Sequence, residues 1–276
     1  MPSNAAFNPT ILSGQLLRKL RMSLVFNSIV SRDFEGEING PEDSVKILAP
    51  LAVSVEDADG SKMSYGDQLL AEDAVLSMAH KKRFGFLAKD IDNASAAADV
   101  FADETFQEVL KAAQRYVLAQ YTEADNANQI TVAVGDDMGT RLRDASETLD
   151  EQEAPEMGRF VVLPPSAVRE IEDELSDKGT QLGDAVTQTG FAGMYAGLQI
   201  FKAPSSHFTT TGTSPQYLHA MYGYRGAITY ADAIVNVESG RHSDFIADYV
   251  RGIHVAGAKV LPRRAKVLGD FRIEQA

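Results

Sequence analysis

Apolar and charged positions between Asp99 and Tyr121 repeat with the period of an α-helix. The apolar residues recur every three to five positions and would form one continuous face: Ala102, Phe106, Val109, Leu110, Ala113, Tyr116, Val117 and Tyr121. The charged residues fall mostly on the opposite face, at Glu104, Glu108, Lys111 and Arg115. A helix of this length would span about 35 Å at ~1.5 Å per residue, the width of a small domain. We therefore predict a long helix that packs along the core, and we call it the spine helix.

The chain before the spine helix has the pattern of extended structure. Residues 24–38 are apolar and end at a turn, Asn39-Gly40-Pro41. The odd positions from Val45 to Val55 are all apolar, which is the period of a β-strand with one buried face. A polar segment rich in Asp, Gly and Ser, 56–67, separates this strand from a second extended run, 74–86. Because the two runs hold too little apolar bulk for a core of their own, we predict a projecting β-hairpin.

The chain after the spine helix mixes helical and extended patterns. Helices are predicted at 140–151, where Leu142, Ala145 and Leu149 face inward, and at 166–178. Strands are predicted at 130–134, 159–163, 198–202, 217–222, 227–230, 234–238 and 248–260. The Ser-, Thr- and Gly-rich segment 205–214 is predicted to be a loop. This mixture predicts an α+β fold.

The formal net charge of −13 is distributed unevenly over the 276 residues. Residues 1–32 carry four bases and no acid, a net charge of +4, and residues 251–276 carry six bases and two acids, again +4. The segment 33–250 therefore has 16 bases and 37 acids, a net charge of −21. This acidic bulk disfavours sequence-independent DNA binding through a basic face. Two interpretations stay open for the ends: they are solvated, or they contact an acidic partner such as a neighbouring subunit or nucleic acid.

The sequence contains no motif that predicts a cofactor, a metal or a catalytic residue. It has no phosphate-binding glycine loop, no dinucleotide fingerprint and no nucleophile elbow, and it has no cysteine. The five histidines lack metal-ligand spacing and are predicted to be surface or core residues, at positions 80, 207, 219, 242 and 254. Two acidic runs, Asp136-Asp137 and Glu172-Asp173-Glu174, could offer oxygen ligands to a hard cation but lack the spacing of a ligand loop. We therefore expect no enzyme and no cofactor.

Two further patterns concern the cellular compartment of the protein. No apolar run approaches the ~20 residues of a membrane span, so we expect no membrane association. The first 14 residues lack the basic start and apolar core of a secretory signal, which favours synthesis in the cytoplasm.

The strongest local basic cluster is His80-Lys81-Lys82-Arg83, at the base of the predicted hairpin. Phe84 and Phe86 follow it, but aromatic residues are not interleaved with the cations as they are in many nucleic-acid sites. Two interpretations remain, a salt-bridge patch between subunits and a nucleic-acid site, and we favour the first.

The segment LVFNSIVSRDFEGEI resembles the major capsid proteins of tailed bacteriophages, which share the Hong Kong 97-type fold. In many of those proteins a similar segment precedes a Val-x-Ile strand, which here is Val45-Lys46-Ile47. The resemblance continues in order along the chain: FGFLAKDID at 84–92, the spine helix, GRFVVLPP at 158–165, GLQI at 197–200, RGAIT at 225–229, GIHVAGAKV at 252–260 and then Pro262. The common order of these pieces, from Leu24 to Pro262, carries the resemblance.

The resemblance implies an α+β, Hong Kong 97-like capsid fold in four parts. These parts would be an N-terminal arm (1–44), an extended hairpin loop over a neighbouring subunit (45–89), a peripheral domain with the spine helix (90–127 and 224–257), and an axial domain around the hexamer or pentamer axis (128–223 and 258–276). Some relatives are crosslinked through a Lys and an Asn. Lys62 near the predicted hairpin tip could take the place of that lysine, but no partner is identifiable, so we do not predict a crosslink.

The resemblance also implies a structural function. Copies of the chain would form hexamers and pentamers of an icosahedral shell around packaged double-stranded DNA, bound without sequence specificity. The other implied partners are portal and scaffold proteins and, in some relatives, decoration or cement proteins. The protein would be made in the host bacterial cytoplasm and function in the virion.

Ten charged residues are candidates for contacts between subunits. They belong to the basic cluster, the predicted hairpin tip and the segment after residue 31: Lys81, Lys82, Arg83, Glu56, Asp57, Asp59, Lys62, Arg32, Asp33 and Glu35. Two alternatives to the capsid function stay open. One is the shell of a cellular nanocompartment with the same fold, and the other is an enzyme without a recognisable motif, which would require a deep pocket with perturbed carboxylates.

Overall fold

The computed structural model describes residues 28–33, 44–50, 71–89, 107–177, 193–244 and 247–275. These residues form three α-helices: α1 (residues 107–118), α2 (Met138–Glu151) and α3 (Pro165–Asp177). They also form twelve strands: β1 (Ser44–Pro50), β2 (Ala71–Ser77), β3 (His80–Lys89), β4 (Gln129–Val132), β5 (Arg159–Leu163), β6 (Met194–Tyr195), β7 (Leu198–Lys202), β8 (Thr209–Thr211), β9 (Gln216–Tyr224), β10 (Ile228–Arg241), β11 (Ala247–Val260) and β12 (Leu268–Gln275). The predicted mixture of helix and sheet is confirmed. Among the described helices, none has the length and apolar composition needed to cross a bilayer.

Helix α1 is the described part of the spine helix, and its buried face is the predicted one. The buried apolar residues are Val109, Leu110, Ala113, Val117 and Leu118. Lys111 and Glu108, predicted on the outer face, form a solvent-exposed ion pair with 2.6 Å between Nζ and Oε1. One polar residue, Gln114, is buried together with the apolar face. A 3-10 segment, Ala119–Glu123, continues the helix, and the predicted start at 99–106 lies outside the described residues.

Seven strands form the larger sheet, in the order β4-β12-β9-β5-β7-β6, with β8 also paired to β9. The β5–β7 and β4–β12 pairs are parallel and the others antiparallel. Strand β5 is buried at every residue, as expected of a strand covered on both faces. Helix α2 buries Leu142, Ala145 and Leu149 in the same core, as the sequence predicts. The predicted strands at 159–163 and 198–202 coincide with β5 and β7.

The smaller sheet is antiparallel, with the order β10-β11-β3. One of its faces packs against the β1–β2 hairpin, in a cluster that includes Val45, Leu76 and Val255. On the other face, Tyr116 Oη of α1 accepts a hydrogen bond from the backbone N–H of Ala258 at 3.3 Å. The sheet is therefore the middle layer between the hairpin and the spine helix. The long strand predicted at 248–260 is its central strand, β11.

Strands β1 and β2 confirm the predicted hairpin over part of its length. They pair antiparallel from Ser44–Ser77 to Pro50–Ala71, and Val45 and Ile47 are buried as the alternation predicts. The second run differs from the prediction, because it breaks after Ser77 and β3 leaves the hairpin to pair with β11. A glycine permits the close approach at this exchange, since a Cβ on Gly257 would lie 2.6 Å from the carbonyl oxygen of Ser77. The rest of the predicted hairpin, 51–70, lies outside the described residues.

Three segments differ in part from their predictions. Of the segment 24–38, residues 28–33 are described, and they form a turn followed by a single bridge between Ser31 and Thr229. The strands predicted at 227–230 and 234–238 are one strand, β10, because a bulge at Asn236 (φ 54°) lets the pairing with β11 resume. The predicted loop 205–214 contains β8, which pairs with β9.

Candidate functional site

The basic cluster predicted from the sequence lies on β3. Lys81, Lys82 and Arg83 are all exposed, and none of them has an ion-pair partner within the described residues. No described strand pairs with the outer edge of β3. Successive side chains of a strand point to opposite faces of the sheet, so Lys81 and Arg83 lie on one face of this edge strand and Lys82 lies on the other. We call Lys81, Lys82 and Arg83 the basic strip.

His80 links the start of β3 to the spine helix. Its imidazole stacks on Tyr116 with 4.8 Å between the ring centroids, and it lies edge-on to His254 at 6.4 Å. Burial lowers the pKa of His80 to about 4, with further contributions from His254 and Lys82. The neutral imidazole is therefore the form that occupies this position near pH 7.

Two of the candidate assembly residues have partners within their own chain. Arg32 Nη1 lies 3.3 Å from Asp232 Oδ1, and the Asp232 side chain is fully buried. Backbone hydrogen bonds of Ser31 with Ile228 and Tyr230 place this segment beside β10. Asp33 is exposed and accepts a hydrogen bond from Ser31 Oγ at 2.5 Å. A role for Arg32 and Asp33 in assembly stays a prediction.

The other candidate assembly residues lie outside the described part of the chain. These are Glu35, which follows the segment of Arg32, and the four residues of the predicted hairpin tip: Glu56, Asp57, Asp59 and Lys62. The role of these five residues in assembly also stays a prediction.

A buried polar network that the sequence analysis missed joins β9 to β12. His219 Nδ1 lies 2.9 Å from Asp270 Oδ1, and His219 Nε2 lies 2.6 Å from Thr211 Oγ1. Arg272 Nε donates a hydrogen bond to Asp270 Oδ2 at 2.8 Å, and Tyr121 stacks on the imidazole at 4.4 Å. The one signal in the sequence is the position of His219 within the apolar run of β9.

The order hydroxyl, imidazole and carboxylate is also that of a hydrolase triad. Here the contacts favour a structural role, because Asp270 is shared with Arg272 and the ring of Tyr121 covers one face of the imidazole. Burial, followed by the charge of Asp270, raises the pKa of Tyr121. We therefore interpret the network as a brace that holds β8, β9 and β12 to the segment after the spine helix.

The acidic runs considered as cation sites have partners within the chain. The carboxylate of Asp137 caps α2, accepting a backbone hydrogen bond at 3.2 Å. Asp136 accepts one from the N–H of Ala133 at 3.0 Å, which is the main cause of a lowered pKa at Asp136. Glu172 pairs with Lys202 at 3.2 Å. Within the described ranges, no three acidic or histidine side chains converge as metal ligands would.

Comparison with known proteins relates this architecture to solved structures. No protein-family model matches the sequence, and no curated protein sequence matches it. A structure from Mycobacterium phage Che8 matches with a TM-score of 0.72 at 22% identity, over 90% of this chain and 91% of that one. The capsid of Ralstonia phage GP4 matches with a TM-score of 0.69 at 11% identity, over 90% and 87% of the two chains. This chain has the fold of a phage capsid protein.

The phage-capsid fold of this chain also matches a virus-like particle from Pyrococcus furiosus. That match has a TM-score of 0.56 at 10% identity and covers 95% of this chain and 98% of that one. Identities of this size relate folds and assign no role to single residues. Only their own geometry can therefore explain three features of this capsid fold: the basic strip, the Arg32 contact and the His219 network.

Proposed function

We propose that this chain is a major capsid protein of a tailed bacteriophage. The observation that carries the proposal is the match to the capsid of Ralstonia phage GP4 over 90% of this chain and 87% of that one. A match over nearly both full lengths favours a shell subunit over a shared motif within a different architecture. In this function many copies form hexamers and pentamers of an icosahedral shell that encloses packaged double-stranded DNA.

The proposal includes the Hong Kong 97-type fold with its four parts. Residues 28–33 would belong to the N-terminal arm, β1 and β2 to the extended loop, α1 with β10 and β11 to the peripheral domain, and the larger sheet to the axial domain. The contact between Tyr116 and Ala258 joins the spine helix to β11 at the proposed boundary between the peripheral and axial domains. The hairpin and the segment around Arg32 both pack on the smaller sheet, as peripheral attachments of a subunit would.

The charge distribution fits a container for DNA. The net charge of −13 disfavours tight binding of a polyanion to the wall, so packaged DNA can move past it. The proposal therefore includes DNA as contents without sequence specificity. It also includes portal and scaffold proteins, and decoration or cement proteins, as partners. The protein would be made in the host bacterial cytoplasm and act in the virion as a structural component, without catalysis.

A second candidate function is the shell of a cellular nanocompartment. The match to the virus-like particle from Pyrococcus furiosus, over 95% of this chain, supports this second candidate. The two functions differ in what the shell encloses. A phage capsid encloses a genome, whereas a nanocompartment encloses protein cargo.

The contents of native particles distinguish the two functions. Particles isolated from the source organism would be treated with nuclease, opened, and analysed for DNA and for proteins other than this chain. The proposal predicts protected double-stranded DNA of uniform length. Particles that contain a cargo protein and no protected DNA would support the nanocompartment instead.

A further inference from the structure

The turn between α2 and β5, residues 152–158, is held in shape by one buried arginine. Arg159 is 5% exposed, and its Nη1 lies 2.7 Å from Asp150 Oδ1. Its Nε donates to the carbonyl oxygen of Pro155 at 3.0 Å, and its Nη2 donates to that of Ala154 at 2.6 Å. A planar guanidinium that makes three contacts fixes the backbone on which the exposed residues of the turn stand.

This ordered turn presents two acids and an exposed methionine. Glu153 and Glu156 are exposed and have no ion-pair partner within the described residues. Met157 is 87% exposed, and Met194, which is 67% exposed, lines the same cleft of about 500 Å³. The two methionines give this cleft an exposed apolar component that a neighbouring surface could cover. Because Arg159 already orders the backbone, binding through the turn would cost little conformational entropy. We call residues 152–158 the acidic turn.

A surface of complementary character lies on the edge strand β3. Lys81, Arg83 and Leu87 alternate along one face of the strand, and all three are exposed. Leu87 is 45% exposed and lines a cleft of about 590 Å³ together with Tyr249 and Arg251. This surface thus combines cations with a cleft that Leu87 and Tyr249 line together with Arg241 and Arg251, whereas the acidic turn combines anions with an apolar side chain.

We propose that the acidic turn of one copy docks on the basic strip of a neighbouring copy. Glu153 and Glu156 would face Lys81 and Arg83, and Met157 would enter the cleft beside Leu87. This proposal rests on the proposed capsid function. Each subunit carries both surfaces, so the same contact can repeat from one identical subunit to the next around a ring. A polyanion is a poorer occupant of the strip, since it offers no apolar side chain for the cleft and the protein has a net charge of −13.

Charge exchange tests this contact. The strip variant is Lys81→Glu with Arg83→Glu, the turn variant is Glu153→Lys with Glu156→Lys, and a third protein combines all four changes. The matched control is Glu170→Lys with Asp173→Lys, two acids exposed on α3. The measurement is the protein concentration at which half of the chain is assembled, by sedimentation at low salt. Thermal unfolding of every variant checks the fold.

We expect the strip and turn variants each to raise this concentration by about tenfold or more, since weak exposed pairs are repeated at every subunit contact. The concentration for half assembly of the combined variant should return to within about twofold of the wild-type value, and that of the control should equal the wild-type value. High salt should reduce the assembly defects of the strip and turn variants, because the Debye screening length falls to ~3 Å at 1 M salt. A Met157→Ser variant should also raise the concentration for half assembly. This increase should persist in high salt, since salt does not screen apolar contacts.

The outcomes separate this interface from the capsid function. A wild-type chain that assembles neither alone nor with a co-expressed scaffold contradicts the proposed function itself. A wild type that assembles while the combined variant stays as defective as its two parents overturns the pairing of strip with turn. Normal assembly of the turn variant overturns it as well, because the basic strip would then bind another part of the neighbour or another partner.

Discussion

His219 Nδ1 lies 2.9 Å from Asp270 Oδ1, although 51 residues separate the two in the sequence. Both side chains are buried, and they join β9 to β12 inside the seven-stranded sheet. In the sheet β12 lies between the edge strand β4 and β9, so the contact ties β12 to its inner neighbour. The folded sheet brings these two residues together, and no local sequence motif does so.

Replacing Asp270 with Ala should destabilise the fold. The change removes the carboxylate that contacts both His219 and Arg272, and the buried imidazole of His219 loses this partner. We expect the free energy of unfolding to fall by about 2–4 kcal/mol, measured by urea denaturation of the unassembled protein. The control is Asp244→Ala, an exposed residue in the turn after β10, which should change stability by less than about 0.5 kcal/mol. Equal losses in the two variants would contradict a bracing role for Asp270.

Acid should weaken the packing of His80 before it weakens most of the fold. The pKa of His80 is lowered from 6.5 to about 4 by burial, so the unfolded chain takes up the proton first as the pH falls. The contribution of the neutral imidazole is complete above about pH 6.5, declines between pH 6.5 and 4, and is absent below that. We expect the His80 signals in a nuclear magnetic resonance titration of the native protein to have a midpoint near pH 4. A midpoint near 6.5 would show that the ring is not held between Tyr116 and His254.

The helical phase of the spine is tested by two substitutions on opposite faces. Val117 is fully buried, so Val117→Asp places a charge in the core and should cost about 3–5 kcal/mol. Lys111 carries a solvent-exposed side chain, and Lys111→Asp should cost less than about 1 kcal/mol. Thermal unfolding and limited proteolysis report the difference. If both variants behave alike, the assigned inner face of α1 is wrong.

Substitutions at Arg32 and Asp33 distinguish an effect on stability from an effect on assembly. Arg32→Ala leaves the fully buried carboxylate of Asp232 without this cation and should reduce the free energy of unfolding by about 3 kcal/mol. Asp33→Ala changes the adjacent exposed residue and should leave stability within about 0.5 kcal/mol of the wild type. A loss of assembly in Asp33→Ala at unchanged stability would support its role between subunits. Unchanged stability in Arg32→Ala would contradict the anchoring of residues 28–33 on β10.

Elements with a regular period were predictable from the sequence. The buried face of α1, the buried residues of α2 and the long strand β11 follow directly from the spacing of their apolar residues. The continuity of β10 was not predictable, because the bulge at Asn236 lets one strand continue through a polar interruption. The exchange of partners after Ser77 was missed for a similar reason, since two extended runs do not specify which strands they pair with.

The site was predictable only where its residues are neighbours in the sequence. Lys81, Lys82 and Arg83 are adjacent in the sequence and therefore lie together on one strand. The buried partners of Arg32 and Asp270 are distant in the sequence, so only the folded sheets bring them together. The order that Arg159 gives to the acidic turn was also missed, because an arginine at the start of an apolar strand does not reveal that its guanidinium turns back to the preceding loop.

Self-assembly is the property on which this account depends. The purified full-length chain, alone and co-expressed with a scaffold protein from the same source, would be examined by sedimentation velocity and negative-stain electron microscopy. We expect capsomers or closed particles in at least one of the two settings. A chain that stays a monodisperse monomer in both settings would contradict the assignment of this protein as a shell subunit.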